Sequence, residues 1–110
     1  MIDWGRVNQL RDEIGAEDFR EVVDMFLEEV DEIVERLCTS PDPSRYEEDL
    51  HFLKGSALNL GFRQFSALCA EGEQKSAAGE ADTVGLGPVI ACYQDSKALF
   101  LPQIEAGQAA

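Results

Sequence analysis

Residues Glu17 to Cys38 read E-D-F-R-E-V-V-D-M-F-L-E-E-V-D-E-I-V-E-R-L-C. Phe19, Val22, Val23, Phe26, Leu27, Val30, Ile33, Val34 and Leu37 recur in steps of three and one, which gathers them on a single helical face. The other face carries Glu21, Asp24, Glu28, Asp31, Glu32 and Glu35 and reads as solvated. The sequence Thr39-Ser40-Pro41-Asp42-Pro43 ends the helix, because proline disfavours helix at itself and at the residue before it. A stripe this apolar has to be covered, so the neighbouring segments decide the fold.

Those segments are helical as well. Ser44-Arg45-Tyr46-Glu47 has the pattern of a capping box, and Tyr46, Leu50, Leu53, Ala57 and Leu60 follow at spacings of three and four up to Gly61, where a helix would stop or bend. A third helix is expected from Arg63 to Ser76, with Phe65, Leu68 and Cys69 inward, before a turn at Ala77 to Asp82. The last helix is expected from Pro88, with Val89, Ile90, Tyr93, Leu99 and Phe100, until Pro102 kinks or frays it. A short helix at Asp3 to Leu10 places Trp4, Val7 and Leu10 on one face. No segment alternates with strand period. The expectation is an all-α fold, an antiparallel four-helix bundle with a short additional N-terminal helix, formed by residues 1–110 as a single domain.

Composition narrows the function. Twenty-two acidic residues against nine basic ones give a formal net charge of -13, which repels phosphate backbones and anionic lipid over a Debye length of roughly 8 Å. Nucleic acid and membrane surfaces are therefore not expected as partners. No apolar run approaches the roughly 20 residues of a membrane helix, and Met1-Ile2-Asp3-Trp4 does not open a signal peptide, so the expected location is the cytoplasm. Met1 at the start and the small residues Gly107 to Ala110 at the end suggest a free-standing protein. Cys38, Cys69 and Cys92 are odd in number and widely spaced, and all three read as buried thiols.

The chain has one histidine, His51. With His51 at zero, Leu53, Ala57 and Leu60 fall at about 200°, 240° and 180° around the helix, so the imidazole points away from the core. Lys54 shares its face and leans back toward the ring, placing a cation where an anion would form. Gly55 strips side-chain bulk from that face although it costs a helix about 1 kcal/mol, which suggests a close approach by something. Leu58 and Phe62, at about 340° and 20°, are expected to flank the ring as an apolar docking patch with Asn59 at its edge. A neutral imidazole is a nucleophile able to take a phosphoryl group, which Lys54 would help neutralise.

Other readings compete. A lone helical histidine is by default a solvated surface residue or a satisfied core one, Gly55 alone is more often a tight helix crossing, and Leu58 and Phe62 taken singly are more often core, particularly if Gly61 bends the chain. Glu48-Asp49-Leu50-His51 spells the E-x-x-H of di-iron bundles, but that site needs a second histidine. No G-x-S-x-G elbow, phosphate-binding glycine loop or kinase loop is present, so no bound cofactor is expected and the phosphoryl group must come from another protein.

The stretch His51-Phe52-Leu53-Lys54-Gly55-Ser56-Ala57-Leu58-Asn59-Leu60-Gly61-Phe62 closely resembles the H-x-L-K-G-S-[SA]-x-x-L-G signature of histidine-containing phosphotransfer (HPt) domains, and Leu68-Cys69 with Glu73 is similar to the family's next helix. The resemblance implies a phosphocarrier without an ATP site. His51 would take the phosphoryl on its outward ring nitrogen, Lys54 would steady its oxygens, Gly55 would admit a receiver domain, and Ser56 would orient the ring or nearby backbone. It also implies response-regulator receiver domains and a sensor histidine kinase, hybrid or not, as partners, with magnesium belonging to the receiver, and a monomeric carrier docking through a modest interface. A non-phosphorylated adaptor bundle binding the same partners is the rival. Some members carry a glutamine beside the histidine where this sequence offers Glu73. A carboxylate there would repel the phosphoryl, so either Glu73 points elsewhere or Gln64 or Gln74 replaces it.

Overall fold

The apolar stripe of the Glu17–Cys38 segment is covered as its spacing requires: Phe19, Val23, Leu27, Val30, Val34 and Leu37 are all buried. The structure, a computed structural model, describes residues 2–105. Its helices are α1 (Trp4–Ile14), α2 (Ala16–Thr39), α3 (Tyr46–Leu60), α4 (Arg63–Ala77) and α5 (Leu86–Glu105), with 3-10 turns at Pro43–Arg45 and Ala81–Thr83. α2 packs on α3 and α5, α4 packs on the same two, and α1 lies against α2 and α3. The result is an antiparallel four-helix bundle with an additional N-terminal helix. Among the described residues there is no strand, only an isolated bridge between Ile2 and Phe62. Met1 and the Gly107–Ala110 end lie outside the described residues.

Several boundaries differ from the sequence expectation. α1 continues past Leu10 to Ile14, and α5 starts at Leu86, two residues before Pro88, and keeps Pro102 inside the helix. The Ser44–Glu47 capping box does not form. Asp42 Oδ1 accepts from both the Ser44 backbone N–H at 3.1 Å and the Ser44 hydroxyl at 2.7 Å, so Asp42 caps the 3-10 turn and α3 begins at Tyr46 without a side-chain cap. Cys38 is exposed in the last turn of α2, against expectation, whereas Cys69 and Cys92 are buried. Burial, reinforced by Cys92 and Glu73, pushes the Cys69 thiol up to about 12.

Two polar ties hold α2 in the bundle. On one flank Arg36 donates to both oxygens of the buried Asp49 on α3, at 2.7 and 2.9 Å. On the other, Asp31 accepts from the Tyr93 hydroxyl at 2.5 Å and from Lys97 at 2.7 Å, both on α5.

The C-terminal end of α3 is fixed by a backbone constraint. Gly61 takes φ +76, closing α3 with its N–H on the Ala57 and Leu58 carbonyls, and a Cβ there would lie 2.6 Å from the Asp3 carbonyl oxygen. The Asp3 N–H donates to the Gly61 carbonyl at 2.7 Å, strapping the N-terminal segment over the α3–α4 corner. Further along, a Cβ on Gly72 would sit 2.7 Å from Leu50 Cδ1, so the two helices approach more closely than a larger residue would allow. That approach occurs one residue before Glu73 and one before His51.

Candidate functional site

His51 occupies the second turn of α3 with its side chain 69% exposed, pointing outward as its angle predicts. The ring does not stand alone. Its Nδ1 lies 2.7 Å from Glu73 Oε2 on α4, and Lys54 donates from Nζ to Glu73 Oε1 at 2.6 Å. Glu73 therefore points at the histidine, contrary to the expectation that it turns away, and the ring's partner is neither Gln64 nor Gln74. The expected repulsion is avoided by position, because the carboxylate meets Nδ1, the end of the ring remote from the outward Nε2.

This arrangement fixes the tautomer. The Lys54 hydrogen bond holds the Glu73 carboxyl below its ordinary value of 4.5; partial burial opposes this, and the His51 contact adds to it. An ionised carboxylate only accepts hydrogen bonds, so Nδ1 carries the proton and donates to Glu73. Nε2 then keeps the free lone pair of the ring, on a side chain that is 69% exposed.

The surface beside Nε2 is open. Gly55 is exposed, and a Cβ built on it would meet nothing within 4 Å, so the tight-crossing explanation for this glycine fails. Leu58 is 57% exposed, and Phe52, a further apolar residue outside the expected patch, is 40% exposed. Phe52 lies at about 100° from His51, on the side of Gly55 and Asn59, and the same wheel arithmetic could have marked it. Asn59 is half-buried, with its Oδ1 accepting from Arg6 Nη2 of α1 at 3.0 Å.

Two assigned residues are elsewhere. Phe62 is fully buried, not part of a docking patch: Gly61 ends α3, and Phe62 turns inward to meet Phe100 edge-on with centroids 5.0 Å apart. The angle of about 20° had extrapolated α3 beyond its stop. Ser56 is buried on the core side of α3, and the hydrogen-bond partner of the ring is Glu73.

A cleft of about 590 Å³ lies on the α2–α5 face, lined by Asp24, Glu28, Asp31, Glu32, Glu35 and Lys97 among others, away from His51. Among the described residues no three His, Cys, Asp or Glu side chains gather to hold a metal, and no helix is long and apolar enough to cross a membrane.

The site is thus an outward histidine held by a neighbouring helix on an all-α bundle. The family model of the Hpt domain matches residues 21–99, and the chain belongs to that family, whose members are histidine phosphotransfer domains of phosphorelays. No curated protein and no solved structure gives a significant match.

Proposed function

We propose that this chain is a phosphocarrier of a two-component phosphorelay that exchanges a phosphoryl group between His51 and the aspartate of response-regulator receiver domains, downstream of a sensor histidine kinase. The observation that carries this reading is the His51 side chain, 69% exposed, whose Nδ1–Glu73 contact at 2.7 Å leaves Nε2 as the lone-pair donor, with open surface at Gly55 one turn on. In the transfer, the Nε2 lone pair attacks phosphorus and the P–O bond to the receiver aspartate breaks, its electron pair leaving on the carboxylate. The ring gains one positive charge and keeps its Nδ1 proton on Glu73, so no proton has to move. The receiver brings the magnesium, and this chain brings the nucleophile and the docking surface.

Phe52 and Leu58 supply apolar contact on either side of Gly55, and Lys54 supplies a cation once released from Glu73. With a net charge of -13, the carrier docks through these apolar contacts rather than through overall charge attraction. The carrier acts as a monomer in the cytoplasm.

The test is transfer from a phosphorylated receiver domain to the wild type and to His51→Gln. The wild type is expected to take up an acid-labile, alkali-stable label and the variant none. If His51→Gln retains both receiver binding and downstream signalling, the chain is a non-phosphorylated adaptor.

A further inference from the structure

We propose that Glu73 sets the lifetime of the phosphoryl group on His51, by holding the proton on Nδ1 of the phosphorylated ring so that the domain is a rapid donor rather than a store. The inference rests on the phosphocarrier reading above. Breaking the P–Nε2 bond returns an electron pair to Nε2. If Nδ1 is protonated, the departing ring is neutral imidazole; if it is not, an imidazolate must be expelled, a far poorer leaving group. On the acceptor side one O–P bond forms as the P–N bond breaks, and the Nδ1 proton stays in place.

The geometry meets what this chemistry requires. Glu73 Oε2 lies 2.7 Å from Nδ1, so a full negative charge faces the positive phosphorylated ring from the end opposite the phosphoryl group. A glutamine oxygen could accept the same hydrogen bond, but it would bring no charge to stabilise the protonated ring. Among the described residues the charged groups acting on Glu73 come from α3, Lys54 and His51. Other cations of the bundle are engaged elsewhere: Arg6 on α1 with Asn59, Arg20 on α2 with Asp24, Arg36 on α2 with Asp49, Lys75 on α4 with Glu71, and Lys97 on α5 with Asp31. Lys54 shares the Glu73 charge through Oε1 at 2.6 Å, which weakens its effect on the ring without cancelling it. The phosphoryl oxygens and Glu73 also compete for this lysine. When the phosphoryl group draws Lys54 away, the carboxylate acts on the ring at full strength.

An opposite charge at this range moves a titration by about one to three pH units, and the shared lysine places the expectation near the lower end. Wild type, Glu73→Gln and Lys54→Met are phosphorylated with phosphoramidate, a small donor needing no protein partner. Loss of the phosphohistidine to water is then followed by phosphorus NMR between pH 5 and 9, with circular dichroism confirming that each chain is folded. The expected result is label on wild type and Glu73→Gln, with the fall of the rate at rising pH displaced downward by about one unit in Glu73→Gln. Between the two midpoints the variant's phosphohistidine then lasts up to about tenfold longer. In Lys54→Met the fall is displaced upward, because Glu73 is no longer shared. Superimposable profiles for labelled wild type and Glu73→Gln overturn the inference and leave the carrier reading intact. Folded wild type and Glu73→Gln that both fail to label overturn the two together.

Discussion

The bundle contains the same polar arrangement twice. On the α3–α4 face Glu73 bridges an aromatic ring, His51, and a lysine, Lys54; on the α2–α5 face Asp31 bridges an aromatic ring, Tyr93, and a lysine, Lys97. The bridging distances are alike, 2.7 and 2.6 Å in the first and 2.5 and 2.7 Å in the second. What separates them is the far side of the ring. Tyr93 is 2% exposed, has a single polar atom, and that atom is spent on Asp31. Burial, reinforced by Asp31, also holds its hydroxyl well above the ordinary value, so the group stays protonated. His51 offers a second nitrogen to solvent, next to a glycine that leaves room for a partner. A carboxylate between a ring and a lysine fastens helices together in one place and, on the function proposed above, prepares a nucleophile in the other, and exposure of the ring makes the difference.

The comparison can be broken most severely at Gly55. Replacing it with arginine fills the open surface and removes a helix-interior glycine, so stability should rise by about 1 kcal/mol in urea denaturation. Receiver-dependent transfer should fall by about tenfold or more, equivalent to at least about 1.4 kcal/mol. A variant that is stabilised and still transfers at the wild-type rate would show that access beside His51 is immaterial.

A smaller effect is expected from Tyr93→Phe, which removes one hydrogen bond to a charged group. Asp31 keeps Lys97 and is partly solvated, so the cost should be about 1–2 kcal/mol, read from the urea midpoint. Labelling of His51 should be unchanged, since the two carboxylate bridges lie on different helix pairs.

The smallest effect concerns acid. The folded Glu73 carboxyl titrates below 4.5, so the stability it contributes is complete above that pH and is lost as the pH falls through the folded value. Wild type should therefore lose its margin over Glu73→Gln as the pH falls below 4.5 in thermal melts. The margin should be a fraction of about 1 kcal/mol because Lys54 and His51 are solvated.

Features set by local periodicity were readable from the residues alone. The stripe of α2 and the outward angle of His51 both follow from helical geometry over a few turns. Errors arose where a nearer competitor or a distant partner intervened. Asp42 sits two residues from Ser44 and takes the hydrogen bonds that a capping box would have used. Phe62 was assigned by continuing α3 past a residue that reverses the chain, and its burial depends on Phe100, far along the sequence. Cys38 was judged by residue type, whereas the last turn of a helix can leave even a thiol in solvent. The contact between Glu73 and His51 spans 22 positions and depends on the close packing at Gly72, which no window on one helix reveals.

The uneven placement of the three thiols has a practical consequence. Cys38 is exposed at the end of α2, while burial pushes Cys69 up to about 12 and raises Cys92 as well. At neutral pH a maleimide dye should therefore attach to a single position of the unaltered sequence, on the helix tied to the start of α3 by Arg36 and Asp49. The protein carries its own attachment point for a fluorescent reporter, through which the arrival and departure of a partner can be timed without touching His51 or its neighbours.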